Sequence, residues 1–177
     1  MLRVRRSWHA LGVPDKNAGE IDRLYALPLD EFTAERDELA KRLRKEGDAE
    51  GADAVKALKK PSIAAWAVNQ VQRDRPDEVR ELIDVTGELH RVYEKLSSAG
   101  ARERLEEAAE MQRMLIRSLV RCASQLLEAG GHAANDATLQ KVADTFRAAA
   151  LDEDVREQLA HGRVVKERRA AGLGPPA

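Results

Sequence analysis

Residues 56–70 read KALKKPSIAAWAVNQ, and the reading of this stretch decides the fold class. A basic helix end with Lys56, Lys59 and Lys60 runs into Pro61 and Ser62. Proline closes a helix, because it lacks an N–H and clashes with the turn before it. Serine then offers an N-cap oxygen to the next helix. From Ile63 to Val68 the apolar residues cover every side of a helix, so other elements must wrap it. Trp66 sits at its centre as the pin around which the N-terminal half folds.

Outward from this pin the chain reads as helix. It holds 29 alanines, and aromatic residues are only 3% of it. Ala, Leu, Glu, Arg and Lys lose little side-chain entropy in a helix, whereas the sparse Thr and Ile leave strands without their usual material. A short helix fits 20–27 and is stopped by Pro28. Asp30 offers an N-cap to a helix ending at Gly47, with Phe32 and Leu43 inward. Asp48 caps the next helix, Ser62 the one after, and Pro76 opens a longer one. Ser97–Gly100 is the clearest interior break. A helix over 102–129 follows, apolar in its second half through Leu115, Leu119, Val120 and Leu127, and is expected to be the central core helix. Asn135 or Asp136 starts a helix that buries Phe146, and Asp152 caps a last short one. The expected fold is all-α, an irregular antiparallel bundle of about six to seven helices. Its expected core residues are Phe32, Trp66, Leu115, Leu119 and Phe146.

The expected organisation is an irregular N-terminal extension over 1–19, a single helical domain over 20–161, and a basic flexible tail over 162–177. Within the domain, a helical corner at 20–73 packs against a long-helix bundle at 74–161. The formal net charge is −1. It divides into +2 over 1–75, −6 over 76–160 and +3 over 161–177. The single cysteine excludes an intrachain disulfide and fits a reducing compartment. No apolar run approaches the roughly 20 residues that span a bilayer, and the first residues lack the apolar region of a secretory signal. The expected location is cytoplasmic.

No motif carries catalytic chemistry, so the chain is read as non-enzymatic, without catalytic residues, metal or cofactor. No histidine lies three or four residues from another, and no Glu-x-x-His occurs, which argues against zinc and di-iron sites. Neither a phosphate-binding glycine loop nor a Gly-x-Ser-x-Gly elbow is present. Cys122 lies in an apolar stretch and reads as a small core residue rather than a nucleophile.

Two polar constellations remain. Arg113, Arg117 and Arg121 recur every four residues on one helix stripe, and Arg117 and Arg121 have no acid three or four positions away. Such a row can hold phosphates or the acids of a partner. The favoured reading is plainer: pairing with Glu81, Asp84 and Glu88 of the preceding helix, or solvation. The second constellation borders the tryptophan helix: Lys59, Lys60, Ser62, Asn69 and Gln70. Its amides can meet a ligand, or satisfy backbone groups inside the fold, which is the favoured reading.

Two stretches carry a resemblance. One is Leu24-Tyr25-Ala26-Leu27-Pro28-Leu29 followed by Phe32. The other is Lys56-Ala57-Leu58, Lys60-Pro61-Ser62 and Ala64-Ala65-Trp66-Ala67-Val68-Asn69-Gln70. Together they resemble a group of bacterial all-helical proteins with a KALxKPSxAAWAVNQ box and no assigned activity. The likeness covers about residues 22–72, with a fainter echo near Leu159–Arg163. It implies that residues 1–19 extend beyond a shared domain, and it carries over no functional residue. The expected function is a protein-interaction or adaptor module with a protein partner. The alternative is association with nucleic acid through the arginine stripe, the lysine corner and the basic tail. Oligomeric state stays open.

Overall fold

The computed structural model describes residues 17–94 and 101–169. Among them every regular element is an α-helix. In order these are α1 (Ala18–Ala26), α2 (Phe32–Lys45), α3 (Ala49–Ala57), α4 (Ile63–Asp74), α5 (Pro76–Glu94), α6 (Ala101–Ala129), α7 (Asp136–Leu151) and α8 (Glu153–Ala160). The eight exceed the expected six to seven by one, and they include the short helix expected before Pro28, which runs as α1. The expected break at Ser97–Gly100 lies outside the described residues, as do residues 1–16 of the expected extension and 170–177 of the expected tail.

Chain contacts divide the molecule into two compact units, one ending at Pro61 and one beginning at Ser62. The expected corner over 20–73 is therefore cut within its own signature stretch. α4, which carries Trp66, packs against α6, α7 and α8 in the second unit. The physical reason is apolar coverage. α4 buries residues on all sides, and the long helices supply the surface to cover them.

In the first unit, Ile21, Leu24, Tyr25, Phe32, Leu43, Ala52, Val55 and Leu58 are buried. Tyr25 meets Phe32 edge to face at 5.1 Å between centroids. α2 and α3 form a hairpin across Glu46, Gly47 and Asp48. Gly47 adopts φ 84°, the left-handed conformation that lets the Asp48 N–H reach back to the Leu43 carbonyl at 2.9 Å. Asp48 then caps α3 by accepting from the Gly51 N–H at 3.1 Å, and Asn17 donates to its other oxygen at 3.1 Å. A Cβ on Gly51 would lie 2.2 Å from that oxygen, so a larger residue there would displace the capping Asp48 and Asn17 side chains. Asp30 does not cap α2. That helix starts at Phe32 with Glu31 in the cap position, where the Glu31 N–H is already bonded to the Pro28 carbonyl at 3.1 Å.

In the second unit, α6 packs against α4, α5 and α7. Leu115, Leu119, Leu127, Val142 and Phe146 are buried around it. Ser62 caps α4 through the Ala65 N–H at 3.2 Å, and Asn135 caps α7 through the Thr138 N–H at 2.9 Å. Asp152 ends α7 and caps α8 through the N–H groups of Asp154 and Val155. Trp66 is buried and meets His132 edge to face at 5.3 Å. Its ring lies against Gly130, where an added Cβ would sit 2.9 Å from the indole.

Trp66→Ala empties this contact and should lower stability by about 3–5 kcal/mol in chemical denaturation. A loss below about 1 kcal/mol would show that the ring is not core.

Candidate functional site

The polar border of the tryptophan helix is turned inward. Asn69 is 0% exposed, and its amide pairs with both backbone groups of Val164. Its Nδ2 donates to the Val164 carbonyl at 2.9 Å, and the Val164 N–H donates to its Oδ1 at 2.8 Å. Ser62 adds two bonds to the same segment. Its N–H donates to the Val165 carbonyl at 2.9 Å, and its hydroxyl donates to Glu167 at 2.6 Å. Arg73, one turn beyond Asn69, donates to the Asn69 carbonyl at 2.8 Å and to the Gly162 carbonyl at 3.0 Å. From α7, Thr145 accepts the Arg168 N–H at 3.1 Å and Lys141 pairs with Glu167 at 2.9 Å.

Residues 162–168 are thus strapped across α4 and α7 rather than forming the start of a flexible tail. Val164 is fully buried and Arg163 is 5% exposed, so the segment belongs to the core. Sequence reasoning missed Arg73 and Glu167. The adjacent apolar pair Val164–Val165 just after Gly162 was the available signal. Lys141 first, then Ser62, hold the Glu167 carboxyl down to about 2, against an ordinary value of 4.5. Gln70 is half-buried beside Asn69. Lys59 and Lys60 are exposed and belong to the first unit, where the Lys59 carbonyl accepts the Tyr25 hydroxyl at 3.3 Å.

The arginine stripe is turned outward. Arg113, Arg117 and Arg121 are all exposed on α6. Arg113 pairs with Glu110 at 3.5 Å, one turn back on its own helix. Arg117 and Arg121 make no ion pair or hydrogen bond with any described residue. The expected pairing with Glu81, Asp84 and Glu88 of α5 does not form. Glu88 instead pairs with Arg91 at 3.1 Å on α5 itself. The helix is oriented by its apolar residues. Leu115, Ile116, Leu119, Cys122 and Ala123 face the core, which leaves the arginines on the solvent side. Met111 and Met114 lie beside the stripe at 38% and 46% exposure. With Leu151 they are the exposed large hydrophobic residues among those described.

Other candidate chemistry is weak. Cys122 is buried, and its thiol donates to Asp74 at 3.4 Å. Burial, reinforced by the Asp74 carboxylate, pushes the thiol up to about 11, so it stays protonated at neutral pH. Arg75 first, then Ser118, hold the neighbouring Glu78 below its usual range. Among the described residues no group of three histidines, cysteines or carboxylates is placed to hold a metal ion. No helix among them is long and apolar enough to cross a membrane. The first unit has an open cleft of about 390 Å³ lined by Asp37, Lys41, Arg44, Lys45 and Lys56. Its charges are largely internally paired, with Asp37 between Arg36 and Lys56 at 2.8 Å each, and Arg44 on Asp53.

No protein-family model, curated protein or solved structure matches the chain.

Two variants test the strap. Asn69→Ala leaves the Val164 N–H and carbonyl buried without partners, and should cost about 2–4 kcal/mol in urea denaturation. A cost under about 0.5 kcal/mol would show that the segment is not held there. Glu167→Gln tests its electrostatics. A carboxyl whose value is depressed by folding adds stability that is complete above about 4.5 and is lost as pH falls toward about 2. Stability measured across that window should fall more steeply in wild type than in Glu167→Gln. Parallel curves would contradict the Lys141–Glu167 link.

Proposed function

We propose that this chain is a non-enzymatic protein-interaction module whose working surface is the exposed face of α6. The observation that carries the reading is the stripe Arg113–Arg117–Arg121, solvent-facing and, at Arg117 and Arg121, without an ion pair to any described residue, beside exposed Met111 and Met114. Guanidinium groups on a rigid helix are preorganised donors for carboxylates, and their charge is never lost near neutral pH. Methionines beside them supply adaptable apolar contact. Helix faces of this kind dock against other helices through anchors three and four residues apart.

The polar residues that would otherwise suggest a small-molecule site are committed to the fold. Asn69, Ser62 and Arg73 all bind the chain's own strap. The nucleic-acid alternative draws less support. α6 carries Glu103, Glu106, Glu107 and Glu110 on the same exposed side as the stripe, which would repel a phosphate backbone along half its length. One of the four basic residues of the expected tail, Arg163, is buried. We also place the chain with the bacterial helical group whose box it resembles. The all-helical fold and the structural use of Ser62, Trp66 and Asn69 support that placement, and a reducing cytoplasmic setting fits the buried free thiol.

An affinity pull-down from nuclease-treated native lysate tests the reading. Wild type should retain a protein in near-stoichiometric yield, and Arg113→Glu/Arg117→Glu/Arg121→Glu should lose it. Identical capture by both proteins would contradict the assignment of α6 as the working surface.

A further inference from the structure

From residue 103 to residue 121 one exposed face of α6 changes the sign of its charge once, with exposed Arg102 and Arg104 on its flanks and Glu128 beyond the last arginine. Glu103, Glu106, Glu107 and Glu110 occupy the N-terminal part, and Arg113, Arg117 and Arg121 the C-terminal part. All seven are exposed. At 100° per residue they fall within roughly 120° of arc, so they form one face. Glu103, Glu106 and Glu107, like Arg117 and Arg121, make no ion pair with any described residue. The Glu110–Arg113 pair closes the seam between the two blocks, and Met111 and Met114 lie at that seam.

A surface that is acidic at one end and basic at the other is complementary to itself when turned end over end. We infer that α6 is a self-association surface and that its partner is a second copy of this chain, docked antiparallel about a two-fold axis near residue 112. The inference rests on the interaction-module reading above and names its partner.

In this register Glu107 lies opposite the second copy's Arg117, and Glu103 opposite its Arg121. Two-fold symmetry repeats each pair on the other side of the axis. Met114 lies within that arc, so the Met114 side chains of both copies meet near the centre, with Met111 at its margin. The facing segment, residues 103–121, spans roughly 27 Å. A parallel arrangement would set glutamate on glutamate and arginine on arginine, so the charge pattern also selects the direction. Exposed ion pairs are individually weak and screened by salt, which makes the dimer dissociable and salt-sensitive.

Sedimentation equilibrium of the full chain tests this with two charge-reversal variants, Arg117→Glu/Arg121→Glu and Glu103→Arg/Glu107→Arg. Wild type should dimerise, and the dimer should weaken by about tenfold or more between about 50 mM and about 500 mM NaCl. Each variant alone should dimerise at least about tenfold more weakly, because reversing one member of each cross pair makes every pair like-charged. Mixing the two variants should restore a one-to-one heterodimer. That rescue cannot come from misfolded chains. A wild type that stays monomeric at about 0.5 mM, where contacts of millimolar affinity are already populated, overturns the proposal. So does a dimer that both variants keep, or a mixture that stays monomeric. A monomer that still captures another protein through the stripe overturns self-association alone and leaves the interaction-module reading standing.

Discussion

The buried amide of Asn69 is the constraint on which the second unit depends. An amide with 0% exposure must find partners inside the protein, because burying it unpaired costs more than most single contacts return. Its partners are the N–H and carbonyl of Val164, 95 residues along the chain. The side chain imitates a backbone segment and fixes residues 162–168 in one register across α4. Ser62, Arg73 and Thr145 extend the same grip to neighbouring backbone groups. A segment with no helix or strand of its own is thereby ordered, because each bond closes on a rigid helix.

This arrangement separates polarity that holds the fold from polarity that faces outward. α4 and the strap consume their hydrogen-bonding groups against each other, and Cys122 is silenced by burial beside Asp74. α6 does both jobs on opposite sides. One side carries Leu115, Leu119, Ala123 and Leu127 into the core, and the other carries Glu103, Glu106, Glu107 and Glu110, then Arg113, Arg117 and Arg121, into solvent. A helix of 29 residues is long enough for such a face to hold two blocks of opposite charge. The function proposed here follows from what the core leaves unused.

Much of the helical framework was legible in the sequence. Asp48, Ser62 and Asp152 were readable as caps, because each is a short polar side chain just before an apolar-periodic run, and each caps its helix; of the two candidates Asn135 and Asp136, Asn135 caps α7. Phe32, Trp66, Leu115, Leu119 and Phe146 read as core from helical spacing, and they are buried. The strap was not legible. Gly162 and the arginines around Val164 look like the end of a domain, and only a partner distant in sequence orders them. The division at Pro61 was hidden for a related reason, since Lys56–Gln70 reads as one motif while its two halves pack in different units. The arginine stripe was visible as spacing, but its exposure was not. That depended on which side of α6 the apolar residues turned toward α5, and the acids of α5 found other positions.

Hydrogen exchange at individual backbone amides is the most direct test of the Asn69 constraint. The account predicts that the Val164 and Ser62 amides are protected to the level of the α7 core amides, because the Val164 N–H donates to the Asn69 amide oxygen on α4 and the Ser62 N–H donates to the Val165 carbonyl in the strap. Exchange of the Val164 amide at the rate of open coil would contradict it.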